Sequence, residues 1–376
     1  MNILHISRTM GQGGAEKVVY QICKGCNDEK IKMYIASTGG SLSEELKNEG
    51  IVHIDIPDID KKNPFLIIKT IFVLNKAIKK FDINIIHSHH RMAAFYSRIL
   101  CFFNKNVKRI YTAHNVFEDK KKLTIFSLKG SEVIAVGDSV YRNIVDFYNI
   151  NKKNVKLIYN SIEVPKKINT PQDGLFKKKN KRIYVGTIGR LSRQKGIDIF
   201  LKSMKKVIET NKNVYALVIG DGELKEDLNN LAKELHITNN VFFLGYRKDM
   251  FDLLSQLDFV VLPSRWEGFP LTILETFVSR KTIIASNIPG NNDIVINGEN
   301  GLLFKKDDYN DLADKINYLL KNDKIIKKMS AQAEKDYKEK YEYNIFLESH
   351  KKTYEDLMNN RMWNNEKSWT NNLVEK

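Results

Sequence analysis

The chain has 376 residues, with 61 Lys or Arg against 45 Asp or Glu and a formal net charge of +16. That length accommodates two domains, each able to bury a core. The basic balance points to anionic partners, whether nucleotides, acidic lipid headgroups or nucleic acid, without choosing among them. No uncharged apolar run approaches the ~18 residues of a membrane span, and the first six residues are too short for the apolar part of a signal peptide. The three cysteines do not form a disulfide framework, so the expected location is cytoplasmic.

Residues 2–7 read as a first strand. Met10-Gly11-Gln12-Gly13-Gly14-Ala15-Glu16-Lys17 follows and opens a helical pattern. Glycines between a first strand and a first helix allow close approach to a phosphate or sugar. The spacing is not G-x-G-x-x-G, which removes most of the case for a dinucleotide-binding dehydrogenase. Cys23 and Cys26 form a C-x-x-C on that helix. Neither a thioredoxin-like context nor a second ligand pair accompanies it, so no redox or zinc role is assigned.

Strands are expected at 32–37 and 52–56, with a helix at 43–48 between them. Asp58 and Asp60 make a D-x-D, which holds a divalent metal in some transferases; beside Pro57 and Lys61 it reads as a solvated loop. Residues 65–81 form an apolar helix carrying Lys69, Lys76, Lys79 and Lys80. It suits a membrane surface or the face of a parallel sheet, and the sheet is the preferred reading. The next strand, 83–87, ends in His87-Ser88-His89-His90. These histidines are read as lining a strand-end cleft, because no Cys, Asp or Glu sits beside them to complete a metal site. Strand 109–113 ends at His114-Asn115, a better place for chemistry than a helix face. Further strands are expected at 132–136 and 155–158.

Residues 163–181, with two prolines, a glycine and many lysines, read as an exposed linker. A second strand–helix alternation then begins. Strand 183–188 leads into Gly189-Arg190-Leu191-Ser192-Arg193-Gln194-Lys195-Gly196, where two cations flank a glycine-bearing turn. Arg190 can chelate two oxygens of a diphosphate and Lys195 adds a point charge. Strands at 215–219, 241–244, 259–262 and 282–285 end in loops containing glycine. The strand at 259–262 is followed by a loop with Glu267 and Gly268, then by a helix over 271–279 with Pro270 at its first position. The N–H groups of Phe269, Leu271 and Thr272 at a positive helix end suit a phosphate or sugar oxygen. Glu267 and Glu275 are eight positions apart, so one carboxylate can hold each end of a ligand. The last ~70 residues are helical in pattern. The sum is an α/β chain of two doubly wound domains, with a cleft expected between facing strand ends.

These residues resemble a known family. GGAEK at 13–17, H-S-H at 87–89, T-A-H at 112–114, Asn160-Ser161, GRLSRQKG at 189–196, GDGE at 220–223 and EGFPLTILE at 267–275 are similar, in order and interval, to a retaining GT-B glycosyltransferase of family 4, the bacterial polysaccharide and lipopolysaccharide type. The resemblance implies two Rossmann-like domains. An acceptor-binding domain would span 1–165, a linker 166–181 and a nucleotide-sugar domain 182–340, with C-terminal helices over 341–376 crossing back to the first domain. It implies transfer of a sugar, with retention, from a nucleotide-diphosphate sugar, expected to be a UDP-sugar, to a glycan or lipid-linked acceptor, in surface polysaccharide synthesis. Arg190 and Lys195 would neutralise the diphosphate, Glu275 would bond the ribose, and Glu267 with the backbone of Gly268, Phe269 and Leu271 would hold the sugar. Gly14 would let the N-terminal loop close over the phosphates, and His114 would stand beside the reacting carbon. No metal, other cofactor or nucleic acid is expected; an anionic membrane surface is a candidate partner. After Pro289 the chain has Gly-Asn-Asn-Asp where relatives often carry a glutamate. The acceptor site is not legible. Two rivals are a nucleotide-sugar 2-epimerase on the same scaffold and a non-catalytic basic protein that binds nucleic acid or membrane.

Overall fold

The computed structural model describes residues 1–61, 63–169 and 182–359. Most of the linker expected at 166–181, and the end of the expected C-terminal helices, therefore lie outside the described residues. The chain divides into two compact units. One is Met1–Ile162 together with the chain from Glu342 on; the other is Glu163–Tyr341.

The first unit runs β1 (Asn2–Ile6), α1 (Gly14–Cys26), β2 (Lys32–Ser37), α2 (Ser41–Asn48), β3 (Val52–Asp55), α3 (Pro64–Lys80), β4 (Ile85–Ser88), α4 (Arg91–Phe103), β5 (Lys108–Ala113), α5 (Lys121–Leu128), β6 (Glu132–Ala135), α6 (Asp138–Arg142) and β7 (Val155–Leu157). Its seven strands are all parallel, in the order β3-β2-β1-β4-β5-β6-β7. The inner strands β1, β4, β5 and β6 are buried almost throughout because helices cover both faces, whereas the edge strand β3 is not. The direction of winding reverses between β1 and β4. Right-handed crossovers therefore put α1 and α2 on one face and α3, α4 and α5 on the other, and the helix contacts α1–α2, α3–α4 and α4–α5 agree.

The second unit runs β8 (Ile183–Ile188), α7 (Ile197–Thr210), β9 (Val214–Ile219), α8 (Lys225–Glu234), β10 (Val241–Gly245), α9 (Met250–Gln256), β11 (Phe259–Leu262), α10 (Leu271–Val278), β12 (Thr282–Ser286), β13 (Leu302–Phe304), α11 (Tyr309–Leu320) and α12 (Asp323–Lys340). Its sheet is also parallel, in the order β10-β9-β8-β11-β12-β13. One apolar core, including Phe200, Met204, Phe259 and Phe304, lies beneath α7 and α11. The last described helix, α13 (Tyr343–Met358), belongs to the first unit. It packs on α1, where the Tyr343 hydroxyl donates to the Gln21 carbonyl (3.3 Å) and Lys351 pairs with Asp28 (2.7 Å).

The C-x-x-C thiols are buried and free of each other. Burial pushes the Cys26 thiol up to about 12 and Cys23 well above its ordinary value, so both behave as apolar side chains. Arg8 clasps both acids of the D-x-D. It bonds Asp58 at 2.9 and 3.0 Å and Asp60 at 3.0 Å.

Candidate active site

In the second unit the winding reverses between β8 and β11. An open parallel sheet leaves a crevice at the carboxyl ends of the strands at such a point. The two loops that emerge there, 189–196 and 263–270, are the ones the sequence singled out. They are laced together. The Arg265 N–H donates to the Gln194 carbonyl (2.7 Å) and the Gln194 side chain to the Trp266 carbonyl (3.0 Å). The Arg265 guanidinium grips Asp198 through two bonds (3.0 and 2.8 Å) and also reaches Asp307 and the Arg193 carbonyl. Arg265 is therefore a staple between loops, a role its sequence position did not reveal.

Lys195 and Glu267, 72 residues apart, meet in this crevice. The Lys195 ammonium donates to Glu267 Oε1 at 2.5 Å, and the buried Ser264 hydroxyl donates to the same oxygen at 2.7 Å. Glu267 is 7% exposed and Lys195 18%. Two donors on Oε1 fix the carboxylate and leave Oε2 without a partner among the described residues. Arg190, largely exposed, bonds Glu223 through Nε at 3.1 Å. The sequence reading placed Arg190 and Lys195 as two cations flanking a glycine-bearing turn; in the structure each holds a carboxylate.

Two glycines explain how the loops come this close. Gly220, at φ +139°, lies against the backbone of Gly189, and a Cβ there would stand 1.9 Å from the Gly189 carbonyl oxygen. The GDGE segment thus buttresses the cation-bearing loop, and the Leu191 N–H donates to the Asp221 carbonyl. Gly290, at φ +87°, does the same for the acidic loop: a Cβ would come within 2.7 Å of the Gly268 oxygen and 2.8 Å of the Glu267 oxygen. The Ser286 hydroxyl, which donates to the Ser264 carbonyl, and Asn291, which donates to Ser286, complete that support. The segment after Pro289, which departs from the family pattern, thereby acquires a local role.

Helix α10 begins at Leu271, as the sequence suggested, but Pro270 is its cap (ψ 119°) and not its first residue, because the extended Pro270 ψ is incompatible with a helical turn. The Leu271 and Thr272 N–H groups have no acceptor among the described residues, as expected at a helix start. The side chains of Phe269, Leu271 and Glu275 are buried. Phe269 packs edge-on against Tyr341 at 5.8 Å. Any ligand contact from Phe269 or Leu271 is thus a backbone one.

In the first unit the reversal at β1 and β4 gathers histidines. His5 Nδ1 lies 2.8 Å from His89 Nε2, and His89 Nδ1 lies 3.0 Å from His114 Nε2. The His5 and His89 rings are within 11° of one plane, so three imidazoles run end to end from the sheet interior to the end of β5. His87 bonds the Tyr354 hydroxyl (2.9 Å) and the Thr112 hydroxyl (2.7 Å). His5, His87 and His89 offer nitrogens within 4.8 Å of one another. An ion there would have to displace the hydrogen bonds that already occupy both nitrogens of His87 and of His89. Burial keeps all of these rings neutral: His5 and His114 are lowered to about 3, His350 to about 4, and His87 and His89 lie well below their ordinary value. At Gly14, the first residue of α1, an added Cβ would meet nothing within 4 Å. His5 and Tyr354 escaped the sequence reading because their partners, His89 and His87, lie 84 and 267 residues away.

Residues 171–336 match the family described as "Glycosyl transferases group 1", and residues 12–165 match "Glycosyltransferase Family 4". An Escherichia coli UDP-Gal:alpha-D-GlcNAc-diphosphoundecaprenol alpha-1,3-galactosyltransferase is 30% identical over 283 residues, which is 70% of this chain and 72% of that protein. The chain belongs to glycosyltransferase family 4. The Staphylococcus aureus capsular polysaccharide biosynthesis glycosyltransferase CapM is 24% identical over 88% of this glycosyltransferase and 91% of its own length. Anabaena Alr3699/HepE, solved in complex with UDP-glucose, superposes with a TM-score of 0.83 at 19% identity, covering 95% of this chain and all of that one. The fold is GT-B, with two Rossmann-like domains. No helix among the described residues is long and apolar enough to cross a membrane.

Proposed function

We propose that the enzyme transfers a sugar from a UDP-sugar to a lipid-linked or glycan acceptor with retention, in surface polysaccharide synthesis. The observation that carries this reading is the Lys195–Glu267 pair at the β8/β11 reversal, beside the open N–H groups of Leu271 and Thr272. A diphosphate placed there meets the Lys195 charge and a helix N-terminus, with Arg190 in reach of solvent to close on it. As the bond from the anomeric carbon to the diphosphate oxygen breaks, the acceptor hydroxyl oxygen bonds that carbon on the same face and its proton passes to the departing diphosphate oxygen. The negative charge that develops on that oxygen is stabilised by the same cations. Glu275 bonds the ribose, while Glu267 Oε2 accepts from hydroxyls of the sugar, with the backbone of Gly268, Phe269 and Leu271 completing the cradle. In the same proposal His114 acts beside the reacting carbon and Gly14 lets the N-terminal loop close over the phosphates. The names of the E. coli and S. aureus relatives support the substrate class, and no metal is needed for the chemistry.

The test is a screen of nucleotide-sugars for slow hydrolysis, followed by transfer to lipid-linked acceptors with the product anomer read by NMR. Release of UDP with a retained glycosidic product supports the proposal. A free epimerised sugar nucleotide, or an inverted product, contradicts it.

A further inference from the structure

The outer surface of α3, α4 and α5 does not resemble that of an ordinary sheet-covering layer. Helix α3 starts as expected, with the Asn63 side chain accepting from the Phe65 N–H and Pro64 at the first position. Its buried side carries Thr70, Leu74, Ala77 and Ile78, which seat it on the sheet. The opposite side carries Phe65 (83% exposed), Ile68 (67%) and Phe72 (68%), followed by the exposed Lys76, Lys79 and Lys80. These positions recur at three and four residues, so they form one stripe. The sequence reading set a sheet-covering helix against a surface-binding one; the helix has a face for each.

The stripe continues onto α4. The Asn104 side chain donates to Asn75 of α3 at 2.9 Å. This brings the end of α4, with Phe102 (64% exposed) and Phe103 (71%), beside the turn after Phe72. Together the five side chains expose on the order of 600 Å² of apolar surface, at the upper limit of what a monomer usually leaves open. Lys69 and Lys105 are also exposed around it. Over residues 63–109 the exposed charged side chains are Lys69, Lys76, Lys79, Lys80 and Lys105 against the single acid Asp82. A second copy of the chain would set this cationic face against itself, which argues against self-association. Aromatic side chains ringed by lysine are complementary to an interface that is apolar below and anionic above.

We propose that the α3–α4 surface is a membrane-docking face for an anionic lipid bilayer. Phe65, Ile68, Phe72, Phe102 and Phe103 enter the headgroup region, and Lys76, Lys79 and Lys80 pair with lipid phosphates. This rests on the proposed lipid-linked acceptor for its purpose, but not for its evidence.

The experiment is flotation of the full-length protein with vesicles of phosphatidylcholine alone or mixed with phosphatidylglycerol, with donor hydrolysis in solution measured in parallel. The wild type is expected to float with the anionic vesicles and hardly with the neutral ones. The Phe72→Ser/Phe103→Ser enzyme should bind at least tenfold more weakly. The Lys76→Gln/Lys79→Gln/Lys80→Gln enzyme should bind roughly a hundredfold more weakly at low salt. Both should hydrolyse donor at the wild-type rate, since neither touches the proposed donor site. Equal binding to neutral vesicles, or variants that float like the wild type, would overturn the proposal. So would a lipid-free dimer abolished by Phe72→Ser/Phe103→Ser, which would assign the face to a second copy. Loss of donor hydrolysis by the wild type would refute the proposed function while leaving the flotation result to stand by itself.

Discussion

Lys195 and Glu267 share a hydrogen bond of 2.5 Å between the loops that follow β8 and β11. The pair sets the electrostatics of the crevice. Together with the Ser264 hydroxyl it fixes the orientation of the Glu267 carboxylate, and it holds the Lys195 ammonium where a diphosphate would compete for it.

Replacing Glu267 by Gln should remove the competitor for Lys195 and weaken the hold on the sugar. Free UDP should then bind as tightly as to the wild type or more so. Turnover should fall roughly ten- to hundredfold, because contacts to the sugar strengthen toward the transition state. Calorimetry beside steady-state kinetics measures both quantities, and a fall in UDP affinity with unchanged turnover would reverse the assignment.

The Gly290→Ala enzyme tests the buttress. The new Cβ would press on the Glu267 and Gly268 carbonyl oxygens at a backbone angle that alanine resists. A loss of about 1–3 kcal/mol in stability is expected, with turnover reduced at least tenfold because the loop must shift. Denaturant titration and kinetics check the two effects. Wild-type values in both would mean that the 286–293 segment does not support the site.

Stability of the first unit should depend on pH through its histidines. His5, His87, His89, His114 and His350 are lowered by burial from 6.5 to about 3 or 4 where a value is resolved. Between those values and 6.5 the unfolded chain binds more protons than the folded one. The stabilisation is therefore complete above pH 6.5 and is lost as the pH falls below it, at up to about 1.4 kcal/mol per histidine per pH unit. Urea midpoints should drop steeply from pH 7.5 to pH 5. A flat profile would mean that the cluster accepts protons without unfolding.

Chelation should leave the reaction unaffected. Asp58 and Asp60 are both engaged by Arg8, and in the proposed reaction Lys195 and Arg190 would meet the charge of the diphosphate. Donor hydrolysis in EDTA should match the untreated rate. Loss that manganese restores would reject this reading.

The fold and much of the proposed site were legible because the relevant signals are local. Apolar runs stopped by glycine-bearing loops marked the strand ends, and each strand end is where an open sheet places a ligand. What escaped was set by distance along the chain. Nothing near Lys195 announces Glu267, and nothing near His89 announces His5 or Tyr354. GDGE at 220–223 carried a family resemblance, yet its first glycine serves backbone packing against Gly189. The lysines of α3 were visible in sequence; that its phenylalanines point away from the sheet was not, since an apolar helix can bury either face.

The most direct test of the account is UDP binding by calorimetry to the wild type, Lys195→Ala and Glu275→Ala. Each substitution removes a charge-assisted hydrogen bond of about 1.5–3 kcal/mol, so each should weaken UDP roughly ten- to hundredfold, while circular dichroism remains that of the wild type. A wild type that binds no UDP, or a Lys195→Ala enzyme that binds it unchanged, would contradict the placement of the donor at the β8/β11 crevice.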